Sequence, residues 1–324
     1  MQDKTGRLID YMRISITDRC NLRCVYCMPP EGVESIGHAE ILRYEEILRV
    51  VQAAASLGIS KIKVTGGEPL VRRGAVDLVR QIKQLDGIQT VTLTTNGVLF
   101  AGYAEELKQA GLDGVNFSLD SLDAKTYQAI TRMDEMDRVV QAVELACGMG
   151  FITKINCVPI KGYNEASAVE IASLAKRLRA DVRFIELMPL GLGKKFATVE
   201  SRDILQTLVQ VFGQPELSGE KRGNGPAVYY DFPGFMGKIG FISALSGNFC
   251  GNCNRVRLTS DGFLKGCLCN SRGVALKPML RKGASQEELA RAIRAAIEEK
   301  PEAHCLSEPD CDTKETRKMF QIGG

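Results

Sequence analysis

The stretch "RISITDRCNLRCVYCMPPEG", residues 13–32, decides the fold. Its first part belongs to an alternation over Tyr11–Thr17, with Met12, Ile14 and Ile16 set against Arg13, Ser15 and Thr17. Period-two alternation reads as a β-strand. Its second part carries Cys20, Cys24 and Cys27 in the spacing C-x3-C-x2-C. Three thiols therefore follow directly on the end of a strand. A tetrahedral metal site normally takes four protein ligands, so either a fourth lies elsewhere or its absence is functional.

The pattern continues downstream. Strands are expected at Lys61–Thr65, Thr90–Thr94, Gly114–Leu119, Ile152–Val158 and Asp181–Leu187. Apolar residues at helical spacing separate them, in Ile47–Leu57, Val76–Leu85, Ala104–Ala110, Arg138–Met149 and Ala166–Arg179. Strands alternating with helices imply a parallel sheet with right-handed crossovers. An open sheet and a barrel both fit that alternation. The loops favour the barrel, because each strand ends in polar or glycine-rich chemistry: "DRCNLRCVYC", "GGEP", "TTNG", "DSLD", "PIKGYN" and "MPLGLG". Barrels gather function at the C-terminal ends of all their strands, whereas open sheets load mainly the switch point. The expected fold is α/β, an incomplete (β/α)6 TIM-like barrel over residues 1–235. Residues 236–324 are expected to form an α+β cover carrying a second cysteine set.

Composition narrows the function. The 324 residues are 44% hydrophobic and 25% charged, as in ordinary globular proteins, and the net charge is +3. So small a sum argues against bulk nucleic-acid or membrane binding. The N-terminus MQDKTGRLID has no apolar signal region, and no run approaches the ~18 apolar residues of a membrane span. The expected location is cytoplasmic. Eleven cysteines in such a chain point to metal or catalysis rather than disulfides. Only two histidines occur, His38 and His304, which argues against zinc hydrolysis and histidine acid–base chemistry.

Two readings of the first cysteine loop stand side by side. One is structural zinc closed by a distant ligand. The other is a [4Fe–4S] cluster held by three thiolates, with one iron open to a small molecule. The spacing resembles that of the radical S-adenosylmethionine (SAM) enzymes, whose open iron chelates the amino and carboxylate groups of SAM. The resemblance implies reductive cleavage of SAM to methionine and a 5′-deoxyadenosyl radical. It assigns Cys20, Cys24 and Cys27 to the cluster and Tyr26 to the adenine. Gly67 of "GGEP", Ser118 and Met188 follow as further SAM contacts.

A second set, Cys250, Cys253, Cys267 and Cys269, lies in "NFCGNCNRVRLTSDGFLKGCLCN". Its four cysteines also suit a zinc ribbon. The pattern C-x2-C-N-R-x-R-L-x8-C-L resembles the molybdenum-cofactor biosynthesis protein A family. That resemblance runs nearly end to end and implies a second [4Fe–4S] cluster on Cys250, Cys253 and Cys267 whose open iron contacts the guanine of GTP. Cys269 departs from the family pattern. The implied reaction is GTP 3′,8-cyclisation to 3′,8-cyclo-7,8-dihydro-GTP, an early pterin precursor in molybdenum-cofactor synthesis. GTP contacts carried over are Arg13, Lys63, Thr94, Lys154, Arg255, Val256 and Arg257. Lys63 stands where the family has arginine. Expected partners besides GTP and SAM are an unidentified one-electron donor, cyclic pyranopterin monophosphate synthase as the next enzyme, and a second copy of the chain. Nucleic acid and membrane are not expected.

The same family ends in Gly-Gly, and its tail enters the active site. Gly323 and Gly324, after the apolar Met319, Phe320 and Ile322, are expected to reach the barrel mouth and serve catalysis. Two other readings remain: another radical SAM enzyme with an auxiliary cluster, such as a peptide-modifying one, and a zinc-ribbon RNA-binding module.

Overall fold

The computed structural model describes residues 1–33, 37, 39–220, 222–247, 249–304, 306 and 315–323. His38, Cys305, Cys311 and Gly324 lie outside the described residues. Six strands form the expected parallel core: β1 (Tyr11–Ser15), β2 (Lys61–Thr65), β3 (Thr90–Thr95), β4 (Gly114–Ser118), β5 (Ile152–Cys157) and β6 (Ala180–Ile185). Helices cross between them: α1 (Tyr44–Ala55), α2 (Ala75–Lys83), α3 (Ala104–Gln109), α4 (Ala124–Thr131), α5 (Met136–Gly148) and α6 (Ala168–Arg177). Each helix lays one apolar stripe on the sheet, as Ile47, Val50, Val51 and Ala54 of α1 do. The core lies between helices and sheet, with Met12, Ile14, Ile62, Val64, Leu93, Phe117, Ile155 and Val182 turned into it.

Helix α4 has no counterpart in the sequence reading, which places only one helix after β4. Asp123 starts it, accepting from Thr126 N at 2.8 Å, the bond by which an N-cap satisfies an orphan donor.

After α7 (Ser201–Phe212) come β7 (Glu216–Leu217), β8 (Val228–Asp231), β9 (Ile239–Ile242), β10 (Arg255–Leu258), β11 (Phe263–Lys265) and β12 (Val274–Ala275). Helices α8 (Leu276–Arg281), α9 (Gln286–Glu298) and α10 (Met319–Ile322) complete the chain. The sheet order is β12-β11-β10-β1-β2-β3-β4-β5-β6-β9-β8-β7. Strand β10 pairs parallel with β1, and β9 parallel with β6. The expected cover thus supplies two further parallel strands to the barrel wall, one at each edge. Ladder hydrogen bonding between β6 and β9 crosses residue 235 without a break. Among the described strands, antiparallel pairing is confined to β9–β8–β7 and β10–β11–β12, which extend the two ends.

Candidate active site

The parallel register separates the two cysteine sets. Cys20, Cys24 and Cys27 follow the C-terminal end of β1. Cys250 and Cys253 immediately precede β10, whose first residue Arg255 pairs with Tyr11 at the opposite end of β1. Five strand residues at ~3.3 Å each put roughly 16 Å between the two levels. One cavity of about 290 Å³ joins them and is lined by Cys20, Cys24 and Cys27 as well as Cys250, Cys253, Cys267 and Cys269.

At the first set, the loop is held by its neighbours' backbone. Gly67 N donates to Thr17 O and Glu68 N to Arg19 O, both at 2.7 Å. A Cβ on Gly67 would lie 2.3 Å from Arg19 O, so this close approach by itself demands glycine. Glu68 is wholly buried. Its carboxylate accepts from Leu70 N (3.0 Å), Thr95 Oγ1 (2.9 Å) and Asn96 N (2.7 Å), stapling the loops after β2 and β3 together. Burial pushes it up to about 7 against those three bonds. Tyr26, the residue expected at the adenine, donates its hydroxyl to Asp120 Oδ2 at 2.7 Å, and Val158 N donates to Oδ1 at 2.8 Å. Burial lifts Asp120 to about 6. Burial likewise pushes the Cys20 thiol to about 11 and Cys27 to about 12, and raises Cys24. Ser118 and Met188 line the same end of the cavity with Tyr26 and Gly67.

The second set has a different surrounding. Arg7, itself buried, donates to Cys250 O at 2.9 Å and to Pro301 O and Glu302 O at 2.8 Å. Lys300 Nζ lies 3.4 Å from Cys253 Sγ and donates to Arg255 O at 3.0 Å. Burial opposes ionisation of Cys253, yet Arg255 and Lys300 prevail and lower it to about 7. Cys267 is lowered by a hydrogen bond from Cys269, with Lys300 and Arg257 assisting against burial. Cys269 is raised in turn by giving that bond.

Between the sets lies a bank of positive charge. Register places Arg257, Arg13 and Lys63 side by side on β10, β1 and β2. Like charges directly opposite one another destabilise a sheet, and burial adds to the cost. Lys63 and Arg257 are 7% and 6% exposed. Burial, then neighbouring cations, depress Arg13, Lys63 and Arg257 from their usual ranges. An anionic ligand would relieve the whole row. Thr94 Oγ1, also on the cavity, is buried with no hydrogen-bond partner among the described residues.

The expected GTP contacts divide. Arg13, Thr94, Arg255 and Arg257 line the cavity. Val256 does not, because its side chain packs in the apolar core. Lys63 and Lys154 lie outside the lining. Lys154 is paired with Asp181 at 3.1 Å and Tyr229 Oη at 3.0 Å. Arg183 escaped the sequence reading, and it is buried with Nε and Nη2 on Asn156 Oδ1 at 2.9 and 2.6 Å. It shares the Asn116 amide oxygen with Lys63. Its alternation with Val182 and Phe184 was the available signal, the same one that singled out Arg13. His304 also lines the cavity, its Nε2 donating to Ala244 O at 2.9 Å. Gly323 reaches inside the barrel, where its carbonyl accepts from Arg257 Nη1 at 2.7 Å.

The donor sets fit iron–sulfur clusters. Each consists of thiols alone, ringing an end of the cavity, and among the described residues no three Cys, His, Asp or Glu side chains converge on a single-ion position. A zinc ion needs its thiolates gathered within ~2.3 Å, whereas thiolates on a cluster each bind a different iron.

Residues 14–175 match the Radical SAM superfamily, and residues 180–306 match Molybdenum Cofactor Synthesis C. A three-cysteine loop at the mouth of a parallel barrel is thereby that of a radical SAM protein. The chain is 47% identical to the GTP 3′,8-cyclase of Desulforamulus reducens and 44% identical to that of Clostridium perfringens strain SM101, with all of each chain covered. The chain belongs to the GTP 3′,8-cyclase family of that superfamily. Among solved structures, Streptococcus suis SuiB bound to precursor peptide SuiA superposes with a TM-score of 0.63 at 15% identity. It covers 98% of this chain and 76% of its own, a likeness of fold alone.

Proposed function

We propose that this chain is a radical SAM GTP 3′,8-cyclase acting in molybdenum-cofactor biosynthesis, with two [4Fe–4S] clusters and SAM as cofactors. The observation that carries this reading is the buried cationic row Arg257–Arg13–Lys63, whose two arginines line one cavity that links two separate thiol sets. Held by Cys20, Cys24 and Cys27, the first cluster would supply the electron for reductive cleavage of SAM, which would start cyclisation by removing the ribose C3′ hydrogen, and one further electron with a proton would complete the reduced cyclic product.

The chain's own residues divide the remaining work. Cys20, Cys24 and Cys27 hold the first cluster, and Cys250, Cys253 and Cys267 the second. Tyr26, fixed by Asp120, and Ser118 and Met188 contact SAM, while Gly67 brings the loop backbone within reach. Arg13, Arg255 and Arg257 take the triphosphate, since guanidinium forks bind phosphate oxygens in pairs. Thr94 offers its free hydroxyl to the nucleotide. Lys63, Arg183 and Lys154 add positive potential from beneath, and Val256 contributes backbone only. Gly323 and Gly324 position the substrate. The curled sheet around the cavity keeps water from a radical intermediate.

A one-electron donor, a homodimer, hand-over to cyclic pyranopterin monophosphate synthase and a cytoplasmic location complete the proposal. Among the described residues no helix is long and apolar enough to cross a membrane. The test is anaerobic incubation with SAM, reductant and GTP, assaying 5′-deoxyadenosine and the cyclised nucleotide. Protein with about eight irons that makes both products supports the reading. Loaded protein that makes 5′-deoxyadenosine but never the cyclised nucleotide overturns it.

A further inference from the structure

The tail carries more than its glycines. Residues 315–323 run from one cysteine set to the other. At the near end, Glu315 N donates to Cys269 O at 3.2 Å. The Glu315 carboxylate forms an ion pair with Lys265, and both side chains are fully buried. Lys265 Nζ also donates to Leu268 O at 3.3 Å, so it holds the loop that carries Cys267 and Cys269. Arg317 follows, with its guanidinium 4.4 Å from the centre of the Phe263 ring. Ile322 packs with Leu190, Leu268 and Cys269 in a small apolar cluster apart from the main core. At the far end, Phe320 N–H donates to Cys27 Sγ. Gly323 O meets Arg257, and a Cβ there would lie 2.9 Å from Thr65 Cγ2 and 3.1 Å from Ser15 Cβ. The far end therefore tolerates no sliding. Everything between is short and has few alternative contacts, so the reach of the tail is set where it is anchored.

A buried ion pair is a weak source of stability, because desolvation cancels most of the attraction. Its best-attested use is to fix a register. We propose that Lys265–Glu315 is the register pin of the tail: it sets how far residues 319–323 enter the barrel, and Glu315 is a positioning residue for the cyclisation. A hydrophobic pair at that place would hold the tail in several registers, since apolar contacts are non-directional. The Glu315 carboxylate, paired with the Lys265 ammonium, accepting from Arg317 N at 2.8 Å and lying 3.9 Å from the Arg317 guanidinium, holds one. The pin also ties the tail to the loop of the second cysteine set, so the substrate end and the SAM end of the cavity share one strap. The inference rests on the cyclase reading for its catalytic consequence, and on geometry alone for the docking.

The test uses the anaerobic, cluster-loaded full chain with Glu315→Gln, which removes the charge and keeps the shape. Limited trypsin digestion, read by mass spectrometry, measures release of the segment after Lys318. Release is expected at least ten-fold faster than in wild type. In the same preparation the kcat for cyclisation should fall at least ten-fold, with the KM for GTP within two-fold and iron content unchanged. Glu315→Asp, which restores the charge, should recover part of both effects. A purely structural role would instead lower iron content or thermal stability without splitting kcat from KM. Tail release at the wild-type rate overturns the proposal, as does an unchanged kcat. Should Glu315→Gln fail to fold, Glu315→Asp decides alone, with release expected about three-fold faster and a wild-type rate overturning the idea. If wild type makes no cyclised nucleotide, the cyclase reading fails while tail release still reports on the pin.

Discussion

The two cysteine loops use the same residue type in opposite electrostatic settings. Around Cys20, Cys24 and Cys27 the buried titratable neighbours are carboxyls, Glu68 and Asp120, and the thiols are pushed up. In the second set Arg255 and Lys300 pull Cys253 down, and the hydrogen bond from Cys269, assisted by Lys300 and Arg257, pulls Cys267 down, while burial still raises Cys250. The contrast matches the two proposed ligands. SAM carries a sulfonium cation, which suits the carboxylate end. GTP carries a polyanion, which suits the end of the guanidinium groups. One cavity with two polarities orients two ligands without a partition between them.

The strongest way to break that comparison is to remove one loop at a time. Cys24→Ser should abolish 5′-deoxyadenosine formation, a loss of several orders of magnitude, because that loop is the one proposed to meet SAM. Cys267→Ser should abolish GTP cyclisation yet leave a first cluster that still cleaves SAM. Each variant should hold about half the wild-type iron. A Cys267→Ser protein with full iron, beside a Cys269→Ser protein with half, would move the ligand assignment to Cys269.

Metal-free protein sharpens the contrast through reactivity. The thiolate is the nucleophile. At pH 7 a thiol at about 7 is half ionised, whereas one at about 12 is ionised roughly once in 10⁵. Iodoacetamide should therefore label Cys253 at least about a hundred-fold faster than Cys27. Raising the pH from 7 to 9 should change the Cys253 rate by no more than about two-fold while the Cys27 rate climbs with each unit. Equal labelling at pH 7, read by peptide mapping, would erase the difference between the loops.

Arg257→Ala tests the anionic end. Loss of one charge-assisted bond costs about 1.5–3 kcal/mol, or roughly ten- to a hundred-fold in GTP affinity. Guanosine affinity should change little, and equal losses for both would move Arg257 away from the triphosphate.

Much of this arrangement was legible in the sequence, for specific reasons. The alternation over Tyr11–Thr17 put Arg13 on the face opposite Met12 and Ile14, and the structure has it on the cavity. Cysteine spacing is local, so both sets were found. What escaped is long-range. The pairing of β10 with β1 brings Arg257 beside Arg13 across more than two hundred residues, and no local pattern encodes that register. Lys154 illustrates the converse, since its strand position was clear but its partner Asp181 was not. Glu68 stands inside "GGEP", where the sequence signal belongs to the glycines. Only the fold reveals that its carboxylate has three donors and no solvent.

Glu68 also gives the smallest effect and the finest test of the contrast. Its carboxyl is raised to about 7 in the folded protein, against 4.5 as the ordinary value. The folded state therefore holds the proton more tightly than the unfolded state. The resulting stabilisation is complete below the unfolded value and is lost as pH rises through the folded one. Between pH 6 and 7.5 that loss amounts to about 1 kcal/mol. In metal-free protein this contribution is read as the difference in slope between wild type and Glu68→Gln, measured by urea unfolding at pH 6 and pH 7.5. Glu68→Gln should gain about 1 kcal/mol relative to wild type across that window, although it gives up the bond from Asn96 N and so is less stable than wild type at pH 6. The cationic end contributes with the opposite sign, because Cys253 and Lys265, both lowered to about 7, give up protons more readily in the folded state and so favour it as pH rises. The same relative gain should persist when Glu68→Gln is made in an Arg257→Ala background, because Arg257 is no partner of the Glu68 carboxylate. A Glu68→Gln protein whose stability runs parallel to wild type from pH 6 to pH 7.5 would take the Glu68 carboxyl out of the titration and end the polarity assigned to that end of the cavity.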